Sequence, residues 1–183
     1  MKLIKISSLR DPESIAKVVA LRPDYVAFNF CKTSVRYMGE VDESLLSRLP
    51  RLMRKIGIFQ DETPLRIAAF AGRFSLTGVE LCGAESSHIC ELLSAEGLEV
   101  IKSFSHENID QIERYEGVCN KFVFHFVPLH YRGETPFFVD VQHMAEPIDN
   151  PLFCGVDSCD SLERDFGCKD IVQIERLIKQ YRL

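Results

Sequence analysis

Lys5-Ile6-Ser7-Ser8-Leu9-Arg10-Asp11-Pro12-Glu13 is the stretch whose reading decides the fold. An apolar run stops at two small hydroxyl residues and passes directly into a helix start. Asp11 is placed to accept hydrogen bonds from free backbone N–H groups, and Pro12 suits the first helical position. A strand, a short turn and a capped helix form one (β/α) unit. In a barrel of such units, the side chains at the strand's C-terminal end line the mouth where ligands bind.

The unit recurs downstream. Apolar, β-rich runs occupy Asp24 to Phe30, Lys55 to Phe59, Gly78 to Cys82, Leu98 to Phe104, Asn120 to Phe126, Pro136 to Val141 and Phe153 to Asp157. With the first run they make the set of eight strands that an α/β, (β/α)8 TIM barrel requires. At 183 residues the chain is expected to be a single domain, 1–183. It is short beside the ~250 residues typical of such barrels, so something has been trimmed.

Between the strands, apolar residues return at helical spacing: Ile15, Val18 and Val19 after Asp11-Pro12; Leu45, Leu46 and Leu49 after Asp42; Ile67, Phe70 and Ala71 after Thr63-Pro64; Ile89, Leu92 and Leu93 after Ser86; and Ile109 and Ile112 after Ser105-His106-Glu107-Asn108. The alternation fails after the sixth strand. The stretch between Phe126 and Phe137 holds Pro128, Gly133 and Pro136 and is too short for a helix with two loops. Gln142 to Pro151, with Pro147 and Pro151, has room for one helical turn at most. Helices six and seven are therefore expected to be missing or vestigial, with a final helix from about Lys169 to Tyr181. That loss would bare the outer faces of Phe122, Phe124, Phe126, Phe137 and Val139, and a second copy of the chain is the candidate cover, giving a homodimer through that flank.

A net charge of −5 leaves no basic surface of the kind phosphate-driven nucleic-acid binding needs, so no nucleic-acid partner is expected. No apolar run approaches the ~18 to 20 residues of a membrane span, and no leader-like segment precedes the first strand. A cytoplasmic protein without membrane contact is the expectation. The seven cysteines, Cys31, Cys82, Cys90, Cys119, Cys154, Cys159 and Cys168, form no CxxC pair, so free thiols are expected and the spacings match no zinc site.

Three segments in fixed order resemble the phosphoribosylanthranilate isomerase family of tryptophan biosynthesis: Lys5 to Pro12, Phe28-x-Phe30 followed by Ser34-Val35-Arg36-Tyr37, and Val79-Glu80-Leu81-Cys82-Gly83. Lys55 to Phe59 agrees as well. The resemblance runs from Met1 to Phe104, thins, and returns at Gly155-Val156-Asp157 and Gly167-Cys168-Lys169-Asp170. It implies a TIM barrel and an Amadori rearrangement of N-(5-phosphoribosyl)anthranilate: a general acid opens a ribosylamine ring, and a general base then takes a proton from the adjacent carbon. No cofactor is implied.

At the positions that carry this chemistry the chain departs from the family. The family's base is a cysteine ending strand one in a Lys-x-Cys-Gly pattern; here Ser7 and Ser8 follow Ile6. A hydroxyl needs a neighbouring base before it does comparable work. The family's acid is an aspartate ending strand six, and His125 stands there, a residue able to donate a proton near neutral pH. The glycine-rich loops after strands seven and eight, which hold the substrate phosphate in the family, are replaced by Val139-Asp140-Val141-Gln142 and by Asp157-Ser158-Cys159-Asp160, where Asp140 and Asp160 would repel a phosphate. Arg36 matches the arginine that the family directs at the anthranilate carboxylate, a suitable bidentate partner; the alternative is a loop arginine paired with Glu40 or Asp42.

Period-two alternation puts Glu80 and Cys82 on one face of strand four, and Val123 and His125 on one face of strand six. The candidate catalytic set is therefore Ser7, His125 and Glu80, with Arg36, Cys82, Asp140 and Asp157 as candidate substrate contacts. Three readings follow. One is an isomerase-like barrel for a small-molecule substrate, impaired or inactive in the family reaction; in an active version Glu80 would replace Ser7 as base, with His125 protonating the ring oxygen and Arg36 holding the carboxylate. The second is a non-catalytic binding or assembly protein using the bare flank. The third is a different barrel enzyme with an acidic, metal-binding mouth, in which Glu80, His125, Asp140 and Asp157 converge; against it stands the simpler reading that Asp140 and Asp157 cap loops or pair with Lys5 and Arg36.

Overall fold

The computed structural model describes residues 1–39, 43–159, 161–165 and 167–182. Eight parallel strands close a barrel in chain order: β1 (Leu3–Ile6), β2 (Tyr25–Asn29), β3 (Arg54–Phe59), β4 (Gly78–Leu81), β5 (Glu99–Phe104), β6 (Lys121–Phe124), β7 (Phe137–Asp140) and β8 (Phe153–Ser158). Closure is made by β1 on β8, with Lys5 opposite Asp157 and Ile6 opposite Ser158. Each expected strand is present, within two residues of its expected bounds.

Alternation along the strands separates two apolar layers. Tyr25, Ala27, Ile56, Ile58, Ile101, Val123 and Phe138 fill the barrel interior. Val26, Phe28, Val79, Val100, Phe122, Phe124, Val139 and Val156 point outward, against the helices and loops. The lower end is closed by charge: Glu99 accepts from the Tyr25 hydroxyl at 2.9 Å and pairs with Arg54 and Lys121, both at 2.6 Å. Burial would raise the Glu99 carboxyl pKa, but Lys121, Tyr25 and Arg54 together hold it below its ordinary value.

Helices α1 (Pro12–Ala20), α2 (Glu43–Ser47), α3 (Pro64–Phe74), α4 (Ser87–Ala95) and α5 (Ile171–Arg182) cover the outside. Asp11 caps α1 by accepting from the Ser14 N–H at 2.7 Å, and Thr63 caps α3. Asp42, expected to start the second helix, lies outside the described residues. Behind β5 the expected α-helix is instead a 3-10 helix over Ile109–Tyr115. Ile109, Ile112 and Tyr115 recur every three residues, which is the 3-10 period. After β8 the chain forms a small antiparallel hairpin, β9 (Glu163–Asp165) and β10 (Cys168–Lys169), that precedes α5 and has no counterpart in the sequence reading.

Helices six and seven are absent as expected; the loop 127–136 and a three-residue 3-10 turn, Val141–His143, stand in their places. The expected bare flank is not there. Phe122, Phe124, Phe137 and Val139 are fully buried within the single chain, and Phe126 is half-buried against the core. The loop folds back over β6 and β7 and seats the Tyr131 ring 5.4 Å from both Phe124 and Phe137. Glu116 pins it: its carboxylate accepts from the Tyr131 hydroxyl at 2.7 Å, the Thr135 hydroxyl at 2.7 Å and the Thr135 N–H at 3.0 Å. Met144, Ile148 and Leu152 extend the cover. A loop with one aromatic plug replaces two helices, so the strand faces need no second chain.

Candidate active site

Strand order brings Lys5, Ser7, Glu80, Ser103 and Asp157 together inside the upper barrel. The Lys5 ammonium, fully buried, lies 2.7 Å from Glu80 Oε2 and 2.7 Å from Asp157 Oδ2, and donates to Ser7 Oγ at 2.5 Å. Ser7 Oγ donates in turn to Asp157 Oδ1 at 2.6 Å. Glu80 Oε1 accepts from Ser103 Oγ at 2.5 Å, and the Cys82 thiol reaches the same oxygen at 3.7 Å. Ser7 is 1% exposed and Asp157 likewise, so the end of β1 is sealed as well as satisfied.

The charges follow from this geometry. Burial alone would depress the Lys5 pKa, but Asp157 and Glu80 raise it, so the ammonium is permanent. Burial would likewise lift Glu80, and Lys5 and Ser103 hold it below its ordinary value. Asp157 goes the other way: burial, with Glu80 and Asp140 nearby, raises it against the pull of Lys5. Burial and Glu80 push the Cys82 thiol well up, which makes it a poor thiolate.

His125, just beyond β6, reaches solvent with about a third of its side chain exposed. Its Nδ1 lies 3.6 Å from Asp140 Oδ2, an ion-pair separation longer than a direct hydrogen bond. Burial would lower the imidazole pKa, but Asp140, Glu80 and Asp157 raise it. Asp140, 1% exposed, also accepts from the Gln142 backbone N–H at 3.2 Å and its side-chain amide at 3.1 Å. The Gln142 backbone N–H in the turn after β7 is thus already taken by a carboxylate. Asp160, in the β8 loop, lies outside the described residues.

Arg36 ion-pairs with Glu163 of β9 across the mouth, and Glu163 also lies 3.3 Å from the buried Lys169 ammonium. Burial would raise Glu163, whereas Arg36, the Gly167 N–H and Lys169 hold it below its ordinary value. Glu40 and Asp42, the local acids weighed for Arg36, lie outside the described residues. A ligand carboxylate approaching Arg36 would compete with Glu163.

Glu80, His125, Asp140 and Asp157 do not gather as a set of metal ligands. Among the described residues no group of three His, Cys, Asp or Glu side chains could hold a metal ion, and the cation between Glu80 and Asp157 is the Lys5 ammonium. Asp157 pairs with Lys5, while Asp140 caps its turn and faces His125. Among the described residues the cysteines form no disulfide, and the Cys159 thiol lies 3.3 Å from the Ser8 hydroxyl.

Several contributors were not anticipated. Ser103 sits two residues beyond inward-facing Ile101, so period two would have found it. Ser8 stands in the sequence reading opposite the glycine of the family pattern, but its φ of 56°, a left-handed conformation that suits glycine, was not foreseen. Lys102 forms a rim clamp, donating to the carbonyls of Leu81 at 3.0 Å and Gly83 at 2.5 Å and pairing with Glu85 at 3.1 Å. Neither Lys102 nor Glu163 carries a periodic signal.

No protein-family model matches the chain. Among curated proteins it is 32% identical to the N-(5'-phosphoribosyl)anthranilate isomerase of Phocaeicola vulgatus, an alignment covering 98% of this chain and 98% of that protein. The protein of the same name from Parabacteroides distasonis is 27% identical, with 97% of this chain and 92% of that one covered. A crystal structure of phosphoribosyl anthranilate isomerase in complex with reduced 1-(o-carboxyphenylamino)-1-deoxyribulose 5-phosphate superposes with a TM-score of 0.79 at 20% identity, covering 100% of this chain and 99% of that one. Among the described residues no helix is long and apolar enough to cross a membrane.

Proposed function

Because the chain belongs to the phosphoribosylanthranilate isomerase family, we propose that it is an isomerase-type barrel of tryptophan biosynthesis whose catalytic base has been silenced, leaving the Amadori rearrangement severely slowed. One observation carries the reading: the hydroxyl at the base position, Ser7 Oγ, is clamped between Lys5 at 2.5 Å and Asp157 at 2.6 Å and is closed off from the mouth. Sequence alone offered Ser7 no activating partner; Asp157 is within reach, but it does not make Ser7 a base. Ionising Ser7 would add a third anionic oxygen to Glu80 and Asp157 with one ammonium to share. Lys5 is held protonated and cannot accept a proton, and Glu80, ion-paired with Lys5 and hydrogen-bonded by Ser103, is a weak acceptor. The Asp140 carboxylate on the Gln142 N–H further supports weak capture of the substrate phosphate.

The assembly reading loses its premise, since the β6–β7 flank is covered from within. The test is turnover of N-(5-phosphoribosyl)anthranilate by the wild type beside Ser7→Cys. The expected result is a wild-type kcat/KM at least about 10³ below the ~10⁴ to 10⁸ M⁻¹s⁻¹ range of ordinary enzymes, raised about 10² or more by Ser7→Cys. A wild type already within that range, or one whose activity Glu80→Ala abolishes, overturns the proposal in favour of a rebuilt base.

A further inference from the structure

We propose that Asp140 is a positioning residue that converts His125 into the proton donor of this site: the carboxylate faces Nδ1 and leaves Nε2 as the nitrogen presented to a bound molecule. The inference rests on the isomerase-type reading above and concerns its acid half. In the family pattern one carboxyl group ending strand six does this work; here the task is divided between a side chain just beyond β6 and another on β7.

The geometry has three parts. Asp140 Oδ2 stands 3.6 Å from His125 Nδ1, an ion-pair distance that sets the carboxylate beside this ring nitrogen. The carboxylate is itself held by two hydrogen bonds from Gln142, at 3.2 Å from its backbone N–H and 3.1 Å from its side-chain amide, so its orientation is set before a ligand arrives. The imidazole is about one third exposed, whereas Asp140 is buried behind it. A buried carboxylate beside a part-exposed imidazole is the pairing by which a histidine is kept in one state and aimed.

The charges around the ring agree with this role. Asp140 faces it from β7, with His143 one step further through the Gln142 amide at 3.1 Å; Glu80 faces it from β4 and Asp157 from β8, and Lys5 of β1 is the cation paired with those two. Two carboxylates share Lys5, which leaves Asp140 to be balanced by an imidazolium. In the ring-opening step the Nε2–H proton passes to the ribose ring oxygen as the C1–O bond breaks. The bond pair stays on that oxygen, the amine nitrogen forms the C=N bond, and His125 is left neutral until it is reprotonated. No further reactant is required.

The direct test is NMR titration of the His125 ring nitrogens in the wild type and in Asp140→Asn, with no substrate present. The wild type is expected to titrate above the ~6.5 of a free imidazole, and Asp140→Asn is expected to move the midpoint to lower pH and redistribute the neutral ring between its two tautomers. An unmoved midpoint and tautomer ratio overturn the proposal. If Asp140→Asn does not fold, the wild type still decides, because a midpoint at or below ~6.5 rules the role out. A second readout uses the Ser7→Cys background, where Asp140→Asn is expected to lower kcat about tenfold or more with KM nearly unchanged and to shift the alkaline limb of the pH profile downward. A kcat loss without movement of that limb marks a merely structural effect and counts against the proposal. If Ser7→Cys restores no turnover, the silenced-base reading fails while the titration still decides this one.

Discussion

Replacing Lys5 by methionine removes the cation on which the upper barrel is organised, and the size of the effect can be worked from its contacts. The ammonium is fully buried and touches two carboxylates at 2.7 Å each. Taking one partner from a buried ion pair typically costs about 3 to 5 kcal/mol, because the remaining charge cannot return to water. Here Glu80 and Asp157 are both left, with Asp140 close enough to repel Asp157. The folded variant therefore takes up a proton that the unfolded chain does not bind, and each such proton makes stability fall by about 1.36 kcal/mol per pH unit on going alkaline. The expected loss is about 4 kcal/mol at pH 7.5, shrinking by about 2.7 kcal/mol at pH 5.5. In a chain of this size the loss at pH 7.5 lowers Tm by about 8 to 16 °C. Urea unfolding at the two pH values, with the slope m checked for constancy, measures it. The triple change Lys5→Met, Glu80→Gln, Asp157→Asn should recover more than half of the loss at pH 7.5. A cost below about 1 kcal/mol, or one equal at both pH values, refutes the view that Lys5 is the counter-ion of two ionised groups.

Three further outcomes follow from other parts of the fold. Tyr131→Ala should cost about 3 kcal/mol or more and expose the Phe124 and Phe137 faces to a hydrophobic dye; unchanged stability without dye binding would mean the loop is not the cover. Gly155→Ala would set a Cβ 2.2 Å from the Leu3 carbonyl oxygen at the β1–β8 seam, so a loss of about 1 to 3 kcal/mol in chemical unfolding is expected, and a neutral result would show that the seam yields. Burial would raise the Glu116 pKa, but bonds from Thr135 and Tyr131 and the loop N–H groups hold it below 4.5 in the folded chain. Its contribution is present above pH 4.5 and lost as pH falls through the folded value, so Glu116→Gln should flatten the stability profile across that acid window; a profile of unchanged slope contradicts this.

The barrel was legible because parallel strands are buried on both faces and read as near-continuous apolar runs, while Asp11-Pro12 and Thr63-Pro64 announce two of the helices. The segment at Ile109 misled because two isoleucines three apart fit both helical periods, and Tyr115 decides between them only once its burial is known. The covered flank was not legible: Tyr131 sits among turn formers with no periodicity, and Glu116 reaches it from the far side of β6. At the site, period two placed Glu80, Cys82 and His125 inward, and a Lys5–Asp157 pair stood among the expectations, but the hydrogen bond from Ser7 to Asp157 depends on barrel closure across some 150 residues, which local pattern does not encode. Arg36 and Glu163 are joined by a hairpin of short charged strands that carry no alternation.

The silenced base is tested most directly by a single turnover of N-(5-phosphoribosyl)anthranilate with wild-type protein in excess, which removes product release from the reading. A first-order constant below about 10⁻² s⁻¹, rising about 10² or more in Ser7→Cys, is the predicted result against the ~10 s⁻¹ typical of enzymes. A wild-type constant of about 1 s⁻¹ or more, unimproved by the cysteine, would contradict it.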